Sequence, residues 1–231
     1  MAASKARNSR TSLLLFADSE ADPDMLYLGG VSVPDAFVAL VHKGRSTAVL
    51  NQLEFGRVSR TGRFDEVLLM EDLLESPSSR AGKGLSTPAQ IVSRLAARSR
   101  LKSFRVAFGF PAGLAFELQQ AGFHVEVGEA SLFPERELKN DREAACIREG
   151  NAAASAGFRV VEKHLRQASI KRGYLYHEGR RLTAGRLQQE IAKACLKRGA
   201  LADRTIVAGG DQACDPHCRG DGPLKANQFI I

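Results

Sequence analysis

The chain has 231 residues, of which 44% are hydrophobic, 26% charged and 6% aromatic. That length holds one large domain or two small ones with a real core, and the balanced composition excludes collagen-like, disordered and disulfide-scaffold proteins. Thirty-three Lys and Arg against 26 Asp and Glu give a net charge of +7, but the cations are dispersed, Trp is absent and only three Tyr occur, so nucleic acid is not an expected partner. The densest apolar run, Leu13 to Ala17, stops at Asp18, too short for a membrane span or a secretory signal core. Lys5, Arg7 and Arg10 among serines make only a weak transit-peptide pattern, so the expectation is a cytoplasmic protein. Its cysteines, Cys146, Cys195, Cys214 and Cys218, are expected to be reduced thiols.

In chain order, Ser12–Ala17, Ala36–His42, Thr47–Leu50, Glu66–Leu69, Arg105–Phe108 and His124–Val127 read as strands of a largely buried sheet. Pro88 to Arg100 reads as a helix with Thr87 as its N-cap and Pro88 at the first helical position. Pro111 to Ala121 reads as a second helix, closed by Gly122. The Ser/Gly/Pro segment Ser76 to Thr87 is expected to be a mobile loop. Such alternation predicts an α/β sandwich around a mixed sheet.

Beyond Leu138 the pattern turns helical. Asn140 and Glu143 have capping-box spacing. Ala144, Ile147, Ala154, Phe158, Val161, Leu165 and Ala168 then form one apolar stripe, with Arg148, Glu149, Arg159, Glu162, Lys163 and Arg166 off it. Gly150 and Gly157 inside this helix each cost roughly 1 kcal/mol against Ala, so close approach of a neighbour is expected at both. A further helix runs from the N-cap Thr183 through Leu187, Ile191 and Cys195 to a capping Gly199. Thr205–Ala208 reads as a short strand, Gly209–Pro223 as a glycine-rich loop, and Phe229–Ile231 as the start of a strand without a partner.

That loop, GGDQACDPHCRGDGP, holds the densest set of reactive side chains. Cys214, His217 and Cys218 are ligand types for zinc, but no second, separated pair completes a structural site. A cysteine nucleophile activated by His217 is equally unsupported, because near-adjacent loop residues rarely face one another. The remaining reading from the residues alone is a turn-rich loop carrying an incidental histidine.

A resemblance adds to this. Gly210-Asp-Gln-Ala-Cys-Asp-Pro-His217 after Ile206-Val-Ala resembles the G-x-N-A-x-x-P-H loop of the pita-bread metallopeptidases, the family of creatinase, prolidase and Xaa-Pro aminopeptidase, with Gln212 in place of the usual Asn. Lys139-Asn-Asp-Arg-Glu143 with Ile147-Arg148 is similar to the family's K-[ST]-x-x-E-I-x-x-I/M-R segment, and Met25-Leu-Tyr-Leu-Gly-Gly30 to the Y-L-T-G signature of its N-terminal domain. The motifs fall in the family's order along nearly the whole chain.

The resemblance implies a creatinase-like, ribonuclease-H-like α/β domain over residues 1–135 and the incomplete first part of an α+β pita-bread domain over 136–231. It implies a homodimer that acts on peptides next to proline, with a pair of divalent metals (Mn, Co or Zn) held by Asp, His and Glu in the complete family member. His217 matches the family's substrate-side histidine, which is not a metal ligand. The implied ligands are missing: after His217 the only acidic residue is Asp221, so this chain by itself is expected to bind no catalytic metal. Either it is the N-terminal portion of a longer enzyme, towards which the unpartnered terminal strand leans, or it is an inactive homologue serving dimerisation or peptide binding.

Overall fold

Six short apolar runs pair into one mixed sheet in the computed structural model, which describes residues 11–75, 84–128 and 131–231. The strands are β1 (Ser12–Ala17), β2 (Phe37–His42), β3 (Arg45–Leu50), β4 (Glu66–Leu69), β5 (Ser103–Val106) and β6 (His124–Val127), in the order β4-β3-β2-β1-β5-β6. β1, β2 and β3 form an antiparallel meander, and the other neighbours pair in parallel. Lys43 and Gly44, both at positive φ, make the two-residue turn between β2 and β3, the conformation whose twist matches a hairpin.

Alternation along the central strands sends side chains to opposite faces. Leu14, Val38, Leu40 and Val49 join one cluster with Ile91, Val92 and Leu95 of α4 (Thr87–Ser99) and with Leu114 and Leu118 of α5 (Ala112–Gln120). Leu15, Phe37, Ala39, Ala48 and Leu50 join the other, with Met25 of α1 (Pro23–Gly29) and Val58 of α2 (Gln52–Thr61). A short α3 (Met70–Glu75) follows β4. The expected sandwich with helices on both faces is therefore present, and its boundaries differ locally. β5 lies two residues earlier than expected, because Phe104 is the core residue while Phe108 is 79% exposed. The N-cap of α4 is Ser86 rather than Thr87 and makes no side-chain cap bond. Its hydroxyl donates to the Glu117 carboxylate instead, as does its backbone N–H. Of the segment expected to be a mobile loop, residues 76–83 lie outside the described residues.

The chain divides into two compact units between Leu138 and Lys139. Within the first, buried Asp24 on α1 fastens the segment that closes the unit: its carboxylate accepts from Ser131 Oγ (2.8 Å) and Leu132 N–H (2.7 Å) and pairs with Arg136.

The second unit opens with α6 (Asp141–Arg166), whose capping box between Asn140 and Glu143 is present as expected. The buried face departs from the expected stripe up to Phe158, whereas Val161 and Leu165 of that stripe pack against the second unit's core. Ala153 and Gly157 are buried, whereas Ile147 and Phe158 are 47% and 78% exposed. Small residues face inward because α7 (Ala184–Leu196) comes close: a Cβ on Gly157 would sit 2.9 Å from Ile191 Cγ2. Gly150 has open space where close packing was expected.

Thr183 caps α7, and the helix ends at Leu196 with Gly199 in the left-handed region just beyond, φ 72°. Between the helices lies a three-stranded antiparallel sheet that the apolar pattern does not predict, β7 (Ser169–Lys171), β8 (Tyr174–His177) and β9 (Arg180–Arg181). Its turns, Arg172-Gly173 and Glu178-Gly179, again have positive φ at both positions.

Two further expectations are corrected. Thr205–Ala208 is not a strand. The terminal apolar segment does have a partner: Ala208 and Ile231 exchange both backbone hydrogen bonds, and Gly210 N–H donates to Phe229 C=O. Leu182, Ala184, Leu187, Val207 and Leu224 form the core beneath. Among the described residues no helix is long and apolar enough to cross a membrane.

Candidate functional site

The loop singled out by its reactive side chains is held by backbone and amide contacts. Gly209 bridges Ile230, and a single 3-10 turn, Gly210–Cys214, follows. Gln212 then reaches nine residues ahead: its Nε2 donates to the Asp221 carboxylate, and its Oε1 accepts the Asp221 backbone N–H at 3.1 Å. From α7, Gln188 Nε2 donates to the carbonyls of Arg219 (2.6 Å) and Gly220 (3.2 Å). The Arg219 carbonyl also accepts from Val207 N–H at 2.9 Å, tying the loop to the core. Gly220, at φ 78°, lies so close to the chain that a Cβ would stand 1.8 Å from the Val207 carbonyl oxygen. Only glycine fits there, for backbone conformation and for space alike.

His217 sits at the tip of this frame. Asp215 Oδ1 accepts the His217 backbone N–H (3.1 Å), and Cys218 N–H closes a turn onto Asp215 C=O (3.1 Å), with Pro216 fixing φ between them. The imidazole is exposed and has no hydrogen-bond partner among the described residues. Cys214 is exposed and Cys218 half-buried, both unbridged, and neither thiol bonds the imidazole. The arrangement is therefore not a closed catalytic centre. It presents one imidazole on a fixed backbone, able to donate or accept a hydrogen bond.

The implied metal pair does not fit these residues. Among the described residues no group of three or more His, Cys, Asp and Glu converges as a metal would require. The nearest acid in sequence beyond the loop tip, Asp221, has its carboxylate engaged by Gln212.

Sequence reasoning passed over two other groups of side chains. His164 and buried His177 stack with ring centroids 4.3 Å apart, and Arg186 bonds both the His177 carbonyl (3.1 Å) and Glu178 (2.9 Å). A cluster of lysines and arginines also lines a cleft between α6 and α7. The i,i+4 spacing of Arg159 with Lys163 and of Lys193 with Lys197 was the available signal for that cleft.

The fold is that of part of the prolidase and Xaa-Pro aminopeptidase structures, so the resemblance carried by the three sequence motifs holds at the level of the fold. The chain is similar to prolidase from Pyrococcus furiosus, with TM-score 0.65 and 12% identity over 97% of this chain and 57% of that one. It is similar to the X-Pro aminopeptidase of Thermotoga maritima, with TM-score 0.67 and 14% identity over 96% and 57%. The Xaa-Pro dipeptidase of Bacillus anthracis matches with TM-score 0.66 and 15% identity over 95% and 54%. The chain thus spans a little over half the length of these structures. No protein-family profile matches the sequence, and no curated protein does.

Proposed function

We propose that this chain is the N-terminal portion of a Xaa-Pro-type metallopeptidase, with residues 1–135 as the creatinase-like domain and 136–231 as the start of the pita-bread domain. The supporting observation is the fold likeness over 95–97% of the chain to structures named as a prolidase, an X-Pro aminopeptidase and a Xaa-Pro dipeptidase. In this reading the complete protein is a cytoplasmic homodimer that cleaves peptides next to proline. His217 faces the substrate and donates a hydrogen bond to it or to its developing oxyanion, a role that suits an exposed imidazole on an anchored backbone. The metals, Mn, Co or Zn, would be held by donors other than the described residues.

A second reading, an inactive homologue serving dimerisation or peptide binding, draws on one observation: Asp221, the one acid after His217 in this sequence, carries a hydrogen bond from Gln212 on one carboxylate oxygen.

The test has three arms. The 231-residue chain, dialysed against Mn, Co and Zn and assayed on Xaa-Pro dipeptides, is expected to retain no stoichiometric metal and to hydrolyse nothing; metal retention together with hydrolysis refutes this. The coding frame past the Ile231 codon separates the two readings, since a D-x-G…D-x-T-R pattern supports the enzyme and an immediate stop the homologue. In an active protein carrying this segment, His217→Ala should lower turnover about a hundred- to a thousand-fold with metal content and fold intact. Unchanged turnover, or metal lost along with activity, refutes the role.

A further inference from the structure

Along the flank where α6 and α7 run side by side there is a cleft of about 660 Å³. Arg159 and Lys163 rise from α6, and Lys193, Lys197 and Arg198 from α7 and the residues that end it. One carboxylate, Glu190, faces these five cations, and it is already bonded to Lys193 at 2.8 Å. That bond holds the Glu190 carboxyl below its ordinary value, so it stays ionised and neutralises Lys193. Arg159, Lys163, Lys197 and Arg198 have no ion-pair partner among the described residues.

The helix dipole accounts for part of this. Cations in a last helical turn gain roughly 0.3–1 kcal/mol each, which covers Lys193, Lys197 and Arg198 at the end of α7 and Lys163 in the last turn of α6, leaving Arg159. It does not explain why cations of two helices line one concavity. On each wall the lysine or arginine repeats after four residues, roughly 6 Å along the axis, and Gly157 against Ile191 brings the walls together. Like charges lining one concavity repel, and a small, dense anion relieves that repulsion.

We infer that this cleft binds an oligophosphate, meaning a short chain of phosphate groups either free or carried on a nucleotide. Charge density argues for the class. A chain of three phosphates, with a terminal group of about −1.5 to −2, brings enough negative charge to match the four unpaired cations within one cleft. Lysine and arginine together supply point charges and forked donors for phosphate oxygens. The small walls Ala156, Val160 and Ala194 offer no aromatic surface on which bases could stack, so the phosphate chain itself is the element recognised and a nucleic-acid strand is not.

Calorimetric titration of the full chain with inorganic tripolyphosphate tests this at two salt concentrations. One-to-one binding is expected, weakening as salt rises. Lys163→Glu with Lys197→Glu should weaken it at least tenfold. Lys163→Gln with Lys197→Gln, the gentler pair, should weaken it about threefold and stands in should the reversal fail to fold. Lys102→Glu with Lys225→Glu, two lysines elsewhere and the same change in net charge, should alter it less than twofold. ATP should bind about as tightly as tripolyphosphate, and orthophosphate at least tenfold more weakly. Equal losses in the cleft and control variants would overturn the inference, as would ATP binding without tripolyphosphate binding. A single-stranded oligonucleotide binding a hundredfold more tightly through the same lysines would overturn it in favour of nucleic acid.

Discussion

Replacing Gly220 by Ala tests whether the frame behind His217 is as tight as its geometry implies. An L-residue at φ 78° costs about 1–2 kcal/mol by the sterics that disfavour left-handed backbone. The added Cβ would stand 1.8 Å from the Val207 carbonyl oxygen and 2.5 Å from its carbon, both backbone atoms, so the two chain segments must separate. Separation breaks the bond from Val207 N–H to Arg219 C=O and strains the Gln188 contacts, each worth about 1 kcal/mol. The loss is therefore about 3–5 kcal/mol, a large share of the roughly 5–15 kcal/mol that stabilises a domain. Gly222 is the control. It has φ 66° and nothing within 4 Å of where a Cβ would stand, so Gly222→Ala should lose only the conformational share, about 1–2 kcal/mol. Native-state hydrogen exchange at the Leu182 and Leu224 amides, both bonded within this unit, reads the opening free energy there without interference from the first unit. Equal losses for the two variants, within about 0.5 kcal/mol, would refute the claim that Gly220 is sterically required.

Gly150→Ala should stabilise α6 by about 1 kcal/mol, since nothing lies near it, whereas Gly157→Ala should lose stability against Ile191; urea melts that show equal gains would contradict the helix contact. Asp24→Ala removes the carboxylate that accepts from Leu132 N–H and pairs with Arg136 and should cost about 3 kcal/mol, read as a lower urea midpoint, with an unchanged midpoint counting against the clamp. Glu117 has its carboxyl pKa lowered by the hydrogen bonds from Ser86. Its folded value lies below its unfolded one, so its contribution is present above the unfolded value near 4.5 and is lost as pH falls through the folded value. Glu117→Gln should therefore flatten the acid limb of the stability profile, and a limb of unchanged slope would show that this contact does not persist in solution.

The sheet was legible because its central strands are short, near-continuous apolar runs, the pattern of strands covered on both faces. Leu14 and Leu15 point to opposite faces, and each meets a core there. The hairpins β7–β8–β9 were hidden for the opposite reason. Lys171 to Arg181 is mostly charged or aromatic, and Arg181 covers Tyr174 at 4.4 Å, so no apolar period betrays the strands; the Arg-Gly and Glu-Gly pairs at the turns were the usable signal. α2 was missed likewise, since Val58 is its one buried residue. The phase of α6 went wrong up to Phe158, though not at Val161 and Leu165, because hydrophobicity ranks Phe158 above Gly157. What decides the inward face is how closely α7 approaches, and close approach selects the smaller residue. The order of residues marks an amphipathic helix more surely than it marks which face meets which neighbour.

The same distinction governs the loop. The glycines, Pro216 and His217 could be picked out as a motif, but the feature that organises them is a pairing across nine residues. Gln212 stands where the resembling loop carries Asn, and its side chain is one methylene longer. That reach allows both ends of the amide to meet Asp221, one on the carboxylate and one on the backbone N–H. An amide bound at both ends is fixed in orientation, and it fixes the two strands of the loop that flank His217. It also engages the one acidic side chain that follows His217 in the chain. The residue that ties together the backbone on either side of His217 is therefore also the one that donates to the Asp221 carboxylate, so the loop is fixed through an amide while the imidazole itself stays exposed.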